Sequence, residues 1–100
     1  MPSDMAATPP LPDLILYSRP GCHLCDEARV AIQSILEDRA TRGRPNAWFR
    51  EVDITTDPDL EREFFTTIPL VELRGERLEL AISPARLRRW IGDRLDRVLA

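Results

Sequence analysis

Residues 14–54 contain two short apolar runs separated by a segment with helical periodicity. The first run, Leu-Ile-Leu-Tyr at 14–17, predicts a strand buried on both faces, and Ser-Arg-Pro-Gly at 18–21 predicts the turn that ends it. Residues 47–54 predict a second strand. The helix between them should end before Thr41, and its apolar positions are Leu24, Ala28, Ala31, Ile32, Ile35 and Leu36. Because a helix that joins two such strands forms a right-handed crossover, this region predicts a parallel β-α-β unit.

Helix-start signals and a turn divide the rest of the chain. Asp57-Pro58 and Ser83-Pro84 each combine a capping side chain with proline at the first helical position. Residues 69–73 and 77–82 predict a hairpin around Arg74-Gly75-Glu76. The apolar sides of the two helices are Leu60, Phe64 and Phe65 in the first, and Leu87, Trp90, Ile91, Leu95 and Val98 in the second. The predicted class is α/β, with the element order β-α-β-α-β-β-α.

The length of 100 residues has room for one small domain. Four of the nine prolines fall in residues 1–12, which predicts a disordered or extended leader followed by a domain over residues 13–100. Met5 is an alternative start. Domains of this size bury roughly 60–70% of their unfolded surface, so we expect a compact surface site rather than a deep cavity.

The charged side chains are 14 arginines and 17 acidic residues, which leaves a net charge of -3. A protein that binds a phosphate backbone usually carries a basic excess, so we expect no nucleic-acid partner. The cluster Arg86, Arg88 and Arg89 is interpreted as a solvated helix face. No stretch has the length and apolarity of a membrane span or a signal peptide. We expect a cytoplasmic protein without a membrane partner, and a monomer.

Cys22 and Cys25 are the two cysteines of the chain, and they stand at the start of the first predicted helix. In a reducing compartment such a pair is more often catalytic or metal-binding than a structural disulfide. The free N–H groups at a helix N-terminus stabilise a thiolate, which favours Cys22 as nucleophile. Cys25, one turn further on, could then attack a mixed disulfide on Cys22 and release the product. Arg19 adds a cation near Cys22, whereas the acidic residues after Cys25 disfavour a thiolate there.

Two motifs resemble the glutaredoxins. Residues 17–25, Tyr-Ser-Arg-Pro-Gly-Cys-His-Leu-Cys, are similar to the first strand and active-site turn of that family, and Thr67-Ile68-Pro69 is similar to its Thr-Val-Pro segment. The resemblance covers about residues 13–99 and is closest to small bacterial glutaredoxin-like proteins that keep a cysteine pair. It implies a thioredoxin-like three-layer α/β/α fold with a four-stranded mixed sheet. It also implies thiol–disulfide exchange.

The same resemblance implies a substrate-binding set. Pro69 would follow a cis peptide bond and face Cys22, and the backbone of Ile68 would pair with an incoming disulfide. Arg19 and Thr67 would form part of a glutathione groove, and His23, which titrates near neutral pH, would tune Cys22 or project into solvent. The expected partners are protein or glutathione mixed disulfides together with a thiol reductant or reductase. No bound cofactor is expected, and glutathione is a candidate reductant.

Two departures from the glutaredoxin pattern leave the reductant open. Between the cysteines, His23-Leu24 replaces the usual Pro-Tyr or Pro-Phe. After the fourth strand, residues 80–84 (Leu-Ala-Ile-Ser-Pro) occupy the region where the family carries Gly-Gly and Asp, which help to hold glutathione. A cycle driven by glutathione and a cycle driven by a reductase are both compatible with this sequence, as is reduction of glutathionylated proteins by Cys22 alone.

A metal-binding module is the alternative class of function. A closed zinc site needs four ligands, and this chain has two cysteines and one histidine. An iron–sulfur cluster bridged between two chains, or a metal chaperone, would use the same two cysteines. The aromatic residues do not point to a ligand cage, because we interpret Trp48, Phe64, Phe65 and Trp90 as core.

Overall fold

The structure is a computed structural model and describes residues 11–97. The strands are β1 (Asp13–Ser18), β2 (Trp48–Asp53), β3 (Leu70–Leu73) and β4 (Glu76–Leu78). The helices are α1 (His23–Thr41), α2 (Pro58–Phe64) and α3 (Pro84–Asp96), with one 3₁₀ turn at Ile54–Thr56. The predicted order β-α-β-α-β-β-α is confirmed. Residues 1–10 of the predicted leader and Val98 lie outside the described residues, so the leader and the domain boundary stay predictions.

The four strands form one mixed sheet in the order β2-β1-β3-β4. Strand β1 is parallel to β2, as the crossover predicts, and antiparallel to β3, which is antiparallel to β4. Leu14 and Leu16 of β1 share a buried cluster with α1 and α3, whereas Leu70 of β3 shares a second cluster with Phe64 of α2. The sheet therefore lies between α1 and α3 on one face and α2 on the other.

Local capping signals set the starts of α2 and α3. The Asp57 carboxylate accepts the N–H of Asp59 at 2.9 Å, and Ser83 Oγ accepts the N–H of Arg86 at 3.2 Å. Each cap is followed by proline in the first turn, where its missing N–H removes nothing from the helix. Both predicted starts are confirmed. In contrast, α1 begins at a cysteine cap.

Several boundaries and burial patterns differ from the predictions. Only one face of β1 is fully buried, since Ile15 and Tyr17 are partly exposed. Helix α1 includes Thr41 instead of ending before it. The hairpin turn is the pair Arg74 (φ 53°) and Gly75 (φ 79°), both left-handed as a tight two-residue loop requires, so Glu76 belongs to β4. Strand β4 ends at Leu78, well short of the predicted 82, and Leu80 beyond it has a left-handed backbone (φ 50°) that cannot continue a strand.

The prediction that four aromatic residues lie in the core is half right. Phe64 is buried and Trp90 packs against the main core, but Trp48 is 65% exposed and Phe65 is 55% exposed. Trp48 is the first residue of an edge strand, and Phe65 follows the last residue of α2, so neither lies under a neighbouring element. Leu24, predicted on the apolar face of α1, is also exposed. Within residues 11–97, no helix combines the length and apolarity needed to cross a membrane.

Candidate active site

The turn between β1 and α1 presents a sulfur atom at the helix N-terminus. Gly21 has φ 80°, a backbone conformation that glycine adopts without steric cost, and Cys22 N–H donates to the Arg19 carbonyl at 3.3 Å. Cys22 is then the N-cap of α1, and its Sγ accepts the N–H of Cys25 at 3.1 Å. Cysteine replaces the oxygen-bearing side chains that cap α2 and α3. Sulfur therefore occupies the position where backbone N–H groups stabilise a negative charge.

Cys22 and Cys25 are joined by a disulfide, with their Cα atoms 5.2 Å apart. Their exposure differs: Cys22 is partly exposed, whereas Cys25 has 0% of its surface accessible to solvent. Cys25 packs in an apolar cluster with Ile54, Phe64 and Ile68, which disfavours a charged sulfur at that position. An external thiol or disulfide can therefore approach Cys22 but not Cys25.

The segment Thr67-Ile68-Pro69 lies against the cysteines. The Ile68–Pro69 peptide bond is cis, Ile68 belongs to the cluster that contains Cys25, and Cys22 packs against the same cluster. On the other side of the segment, Leu80 N–H donates to the Thr67 carbonyl at 3.0 Å and Ala81 N–H donates to the Pro69 carbonyl at 2.7 Å. Among the turn and loop hydrogen bonds of residues 11–97, none uses the N–H or C=O of Ile68. The backbone groups of Ile68 therefore have no partner among these bonds, although Ile68 as a whole is 9% exposed.

Arg19 precedes the cysteine cap in the chain and His23 follows it. Arg19 is exposed and borders a hollow of about 350 Å³ that is lined by Pro58, Glu61, Arg62 and Phe65. His23 is also exposed, and its Nε2 lies 3.0 Å from Glu27 Oε2 on the outer face of α1. Thr67 is half-buried, and its hydroxyl donates to the Phe64 carbonyl at 3.2 Å. The structure thus brings Thr67, Ile68 and Pro69 together with the cysteines, with Arg19 and His23 at the rim.

A polar network that the sequence did not reveal supports the turn, with Ser18 buried and Arg29 and Glu51 partly open to solvent. Ser18 Oγ donates to Glu51 Oε2 at 2.5 Å, and Arg29 donates to both oxygens of the same carboxylate, at 2.7 and 2.8 Å. These contacts join the end of β1, strand β2 and helix α1. The hydrogen bonds from Arg29 hold the pKa of Glu51 below its ordinary value, with a further contribution from Ser18 and against the effect of burial. Glu51 is therefore ionised near neutral pH and serves as an anchor rather than as a base.

Tyr17 packs against the apolar cluster that contains Cys25 and carries a polar hydroxyl. Its hydroxyl donates to Glu72 Oε1 at 2.8 Å, and its ring centroid lies 4.7 Å from that of Phe64. Burial and the neighbouring Glu72 raise the pKa of Tyr17, so its hydroxyl stays protonated at neutral pH. The alternation of β1 and β3 places these residues on one face, but only their register brings Tyr17 and Glu72 into contact. Within the described part of the chain, no group of three or more His, Cys, Asp or Glu side chains is placed to hold a metal ion.

Comparisons with solved structures find the same fold. No curated protein matches the chain. Among solved structures, the protein XcR50 of X. campestris is 33% identical, with a TM-score of 0.62, and the match covers 78% of this chain and 93% of that one. Two matches at 16% identity share the fold. They are Ne2328 of Nitrosomonas europaea (TM-score 0.61; 83% and 94% covered) and a malarial protein (TM-score 0.62; 86% and 99% covered).

The family comparison matches most of the chain. Residues 13–92 match the glutaredoxin-like domain (DUF836), a span that includes both cysteines, the cis-proline segment and most of α3. The fold, the cysteine pair and the match agree with the resemblance seen in the sequence, and a thiol redox role follows at that level. This chain belongs to the glutaredoxin-like family.

Proposed function

We propose that this protein is a thiol–disulfide oxidoreductase in which Cys22 is the nucleophile and Cys25 is the resolving thiol. The observation that carries the proposal is the difference between the two sulfur atoms. Cys22 caps a helix and is partly exposed, whereas Cys25 is fully buried one turn further along the same helix. Thiol–disulfide exchange needs this division, because the attacking sulfur must meet a substrate and the resolving sulfur must meet only the first.

The proposed reaction has two exchange steps. In the reduced protein, the Cys22 thiolate attacks one sulfur of a substrate disulfide, forms a mixed disulfide and releases the other substrate sulfur as a thiolate. Cys25 then loses its proton and attacks Cys22 Sγ, which forms the Cys22–Cys25 disulfide and releases the second substrate sulfur. The substrate gains two electrons and the protein loses two. An external thiol donor must return them to complete the cycle.

The substrate-binding set surrounds Cys22. The N–H and C=O of Ile68 are candidates to pair with the backbone of an extended substrate, in the manner of strand addition. Pro69 and Thr67 would hold Ile68 in place, and Arg19 and His23 would contact the substrate from the rim. We further propose that the protein acts as a cytoplasmic monomer on protein or glutathione mixed disulfides.

The electron donor is tested by comparing glutathione with a small dithiol such as dithiothreitol. Reduction of a glutathionylated protein should proceed with wild type, and Cys22→Ser should be inactive with either donor. If glutathione supports turnover, the rate of Cys25→Ser shows whether one thiol is sufficient. If only the dithiol supports turnover, the Leu80–Pro84 segment has replaced a working glutathione groove, and a reductase is the expected donor. Inactivity of wild type with both donors would refute the proposal.

The metal-binding alternative is tested on the same protein. A carrier that transfers an ion needs both thiolates within reach of the ion, and the burial of Cys25 argues against this. Ultraviolet-visible absorption and metal analysis of protein purified without oxygen should show no stoichiometric metal. A coloured or metal-loaded protein that loses its metal in Cys25→Ser would favour the alternative.

A further inference from the structure

We propose that this site selects disulfides of polypeptides that carry apolar side chains beside the cysteine, and that Leu80 is a specificity-determining residue. The inference deepens the proposed function and depends on it. It concerns Leu80 and Ile82 after β4, whose side chains are exposed and belong to neither core cluster, in contrast to the buried Ala81 between them.

Leu80 combines two unusual features. Its backbone is left-handed (φ 50°), a region that glycine enters freely and leucine seldom occupies, and its side chain is 50% exposed. Three hydrogen bonds fix this conformation: Leu80 to Thr67, Ala81 to Pro69, and Ile82 N–H to the Leu80 carbonyl at 2.8 Å. A glycine would adopt the same backbone without strain. The leucine therefore suggests a use for the side chain itself.

The hydrogen bonds also determine where the leucine lies. Leu80 and Ala81 bond to the carbonyls on either side of Ile68, and Ile68 packs in the cluster that contains Cys25. A substrate whose backbone paired with Ile68 would therefore lie between Cys22 and the residues after β4. Leu80 stands beside the path of that substrate.

Other exposed apolar side chains belong to the chain segments that meet at the cysteines. We define the apolar rim as Leu24, Phe65, Leu80 and Ile82, which are four of the seven large apolar side chains exposed in residues 11–97. Leu24 lies between the two cysteines, Phe65 lines the hollow beside Arg19, and Ile82 is 53% exposed two residues after Leu80. The remaining three are Leu11, Val30 and Trp48. Exposed apolar side chains on the segments next to a reactive sulfur favour an apolar partner.

The surface beyond the rim suits a polypeptide better than glutathione. Pro84, two residues after Ile82, borders a groove of about 570 Å³ between α1 and α3 that includes Val30, Ala31 and Ile35. Asp26 and Glu27 line the end of this groove closest to the cysteines, and Arg88 lines it from α3. The part nearest Cys22 therefore carries the acidic groups and disfavours an anionic tripeptide. Glutathione has no large apolar side chain to bury against the rim. A polypeptide can place such a side chain on Leu80 and extend into the groove.

The test uses two synthetic peptides that differ only in the residues flanking one cysteine, leucine in one and serine in the other. Each cysteine carries thionitrobenzoate as a mixed disulfide, and release of the coloured thiol is followed in a single turnover of the reduced protein. Wild type should react with the leucine peptide roughly tenfold faster, as expected for burial of one apolar side chain. Leu80→Asn keeps a residue that tolerates the left-handed backbone, and it should reduce this preference at least about threefold.

The controls separate the preference from folding and from the reaction itself. Leu80→Gly, which relieves the backbone strain, should lose the preference as Leu80→Asn does. Trp48→Ser removes an exposed apolar side chain at the opposite end of the sheet and should leave the preference unchanged. Equal rates for the two peptides in wild type, or the same loss of preference in Trp48→Ser, would overturn this inference while leaving exchange through Cys22 intact. Absence of exchange with either peptide would instead overturn the proposed function.

Discussion

The two ends of helix α1 are built in opposite ways. At the N-terminal end, a sulfur atom caps the helix, the neighbouring Ile68 backbone makes none of the turn and loop hydrogen bonds of residues 11–97, and Leu24 faces solvent. At the C-terminal end, the buried Arg39 donates to the Pro45 carbonyl at 2.7 Å and pairs with Asp96 of α3, and Asn46 donates to the Leu36 carbonyl at 3.0 Å. The N-terminal end exposes reactive and apolar groups, whereas at the C-terminal end side chains bond to backbone carbonyls and join α1 to α3.

The N-terminal end of α1, called the open end, carries the reactive groups, and the C-terminal end, called the closed end, carries the stabilising contacts. A reactive end needs accessible groups, and accessible groups contribute little to folding. The closed end supplies the stability that the open end lacks, because removing the buried Arg39 guanidinium would leave a carbonyl and a carboxylate without their partner. Removing an accessible side chain at the open end should therefore affect activity more than stability, and removing a buried side chain at the closed end should do the reverse.

The largest effect is expected from Cys22→Ser at the open end. Loss of the nucleophile should lower the rate of disulfide exchange on the order of 10³-fold or more. Serine is itself a good N-cap and can accept the Cys25 N–H, so the free energy of unfolding of the reduced protein should change by less than about 1 kcal/mol. Urea unfolding under reducing conditions checks this. A large destabilisation would mean that the open end also holds the fold together.

Arg39→Ala tests the closed end. Removing this side chain leaves the Pro45 carbonyl and the Asp96 carboxylate without their partner, and should lower the free energy of unfolding by about 2–3 kcal/mol. The exchange rate of the folded protein should be unchanged. Arg42→Ala is the matched control, because Arg42 forms an exposed pair with Asp38 and should cost less than about 0.5 kcal/mol. Equal losses in the two variants would remove the contrast between the ends.

Two glycine substitutions test how the backbone beside each end of α1 affects the free energy of unfolding. Gly21→Ala introduces a Cβ into open space but at φ 80°, so it should destabilise the protein by about 1–2 kcal/mol through backbone strain alone. Gly92→Ala lies within α3, where the new Cβ would meet Arg39 Nη1 at an ordinary 3.5 Å, and should stabilise by about 0.5–1 kcal/mol. Thermal unfolding should show a lower Tm for Gly21→Ala and a higher Tm for Gly92→Ala. Tm shifts of the same sign would contradict the assignment of Gly21 to a left-handed turn and of Gly92 to a helix interior.

The smallest effect is the pH dependence of the free energy of unfolding that arises from Glu51, which bonds to Ser18 and Arg29 next to the active-site turn. The folded pKa of Glu51 is lowered by Arg29, so its stabilising contribution is present above the ordinary carboxyl pKa and is lost as the pH falls through the lower folded pKa. At pH 7, Glu51→Gln should therefore be less stable than wild type by about 0.5–1 kcal/mol. The difference should vanish in acid. A difference that stayed constant down to the acid limit would rule out the ionised pair as its origin.

Local signals were sufficient to predict much of the fold. The helix over 24–36, the caps at Asp57 and Ser83, and a turn around Arg74-Gly75-Glu76 depend on neighbouring residues. All four features are present, although Glu76 belongs to β4 and Leu24 is exposed. The cysteine cap was also predictable, because the turn that precedes it and the helix that follows it are both local.

Features that depend on the position of another element were missed. The exposure of Trp48 and Phe65 depends on what lies above them in the folded chain, which no local pattern contains. Contact among Ser18, Arg29 and Glu51 requires the register of β1 on β2. The left-handed Leu80 was predicted within a strand, because an apolar alternating run favours a strand unless the backbone is fixed from outside. Leu80 is also the residue to which the specificity inference assigns a function.

The most direct test of the division between the two cysteines is to trap the mixed disulfide. Reduced Cys25→Ser, mixed with a peptide disulfide, should accumulate a covalent adduct of one peptide on Cys22, which intact mass and peptide mapping would identify. Reduced Cys22→Ser should form none in the folded state, because Cys25 is fully buried. An adduct on Cys25 in folded Cys22→Ser, or the absence of an adduct in Cys25→Ser, would contradict the assignment of Cys22 as the attacking sulfur.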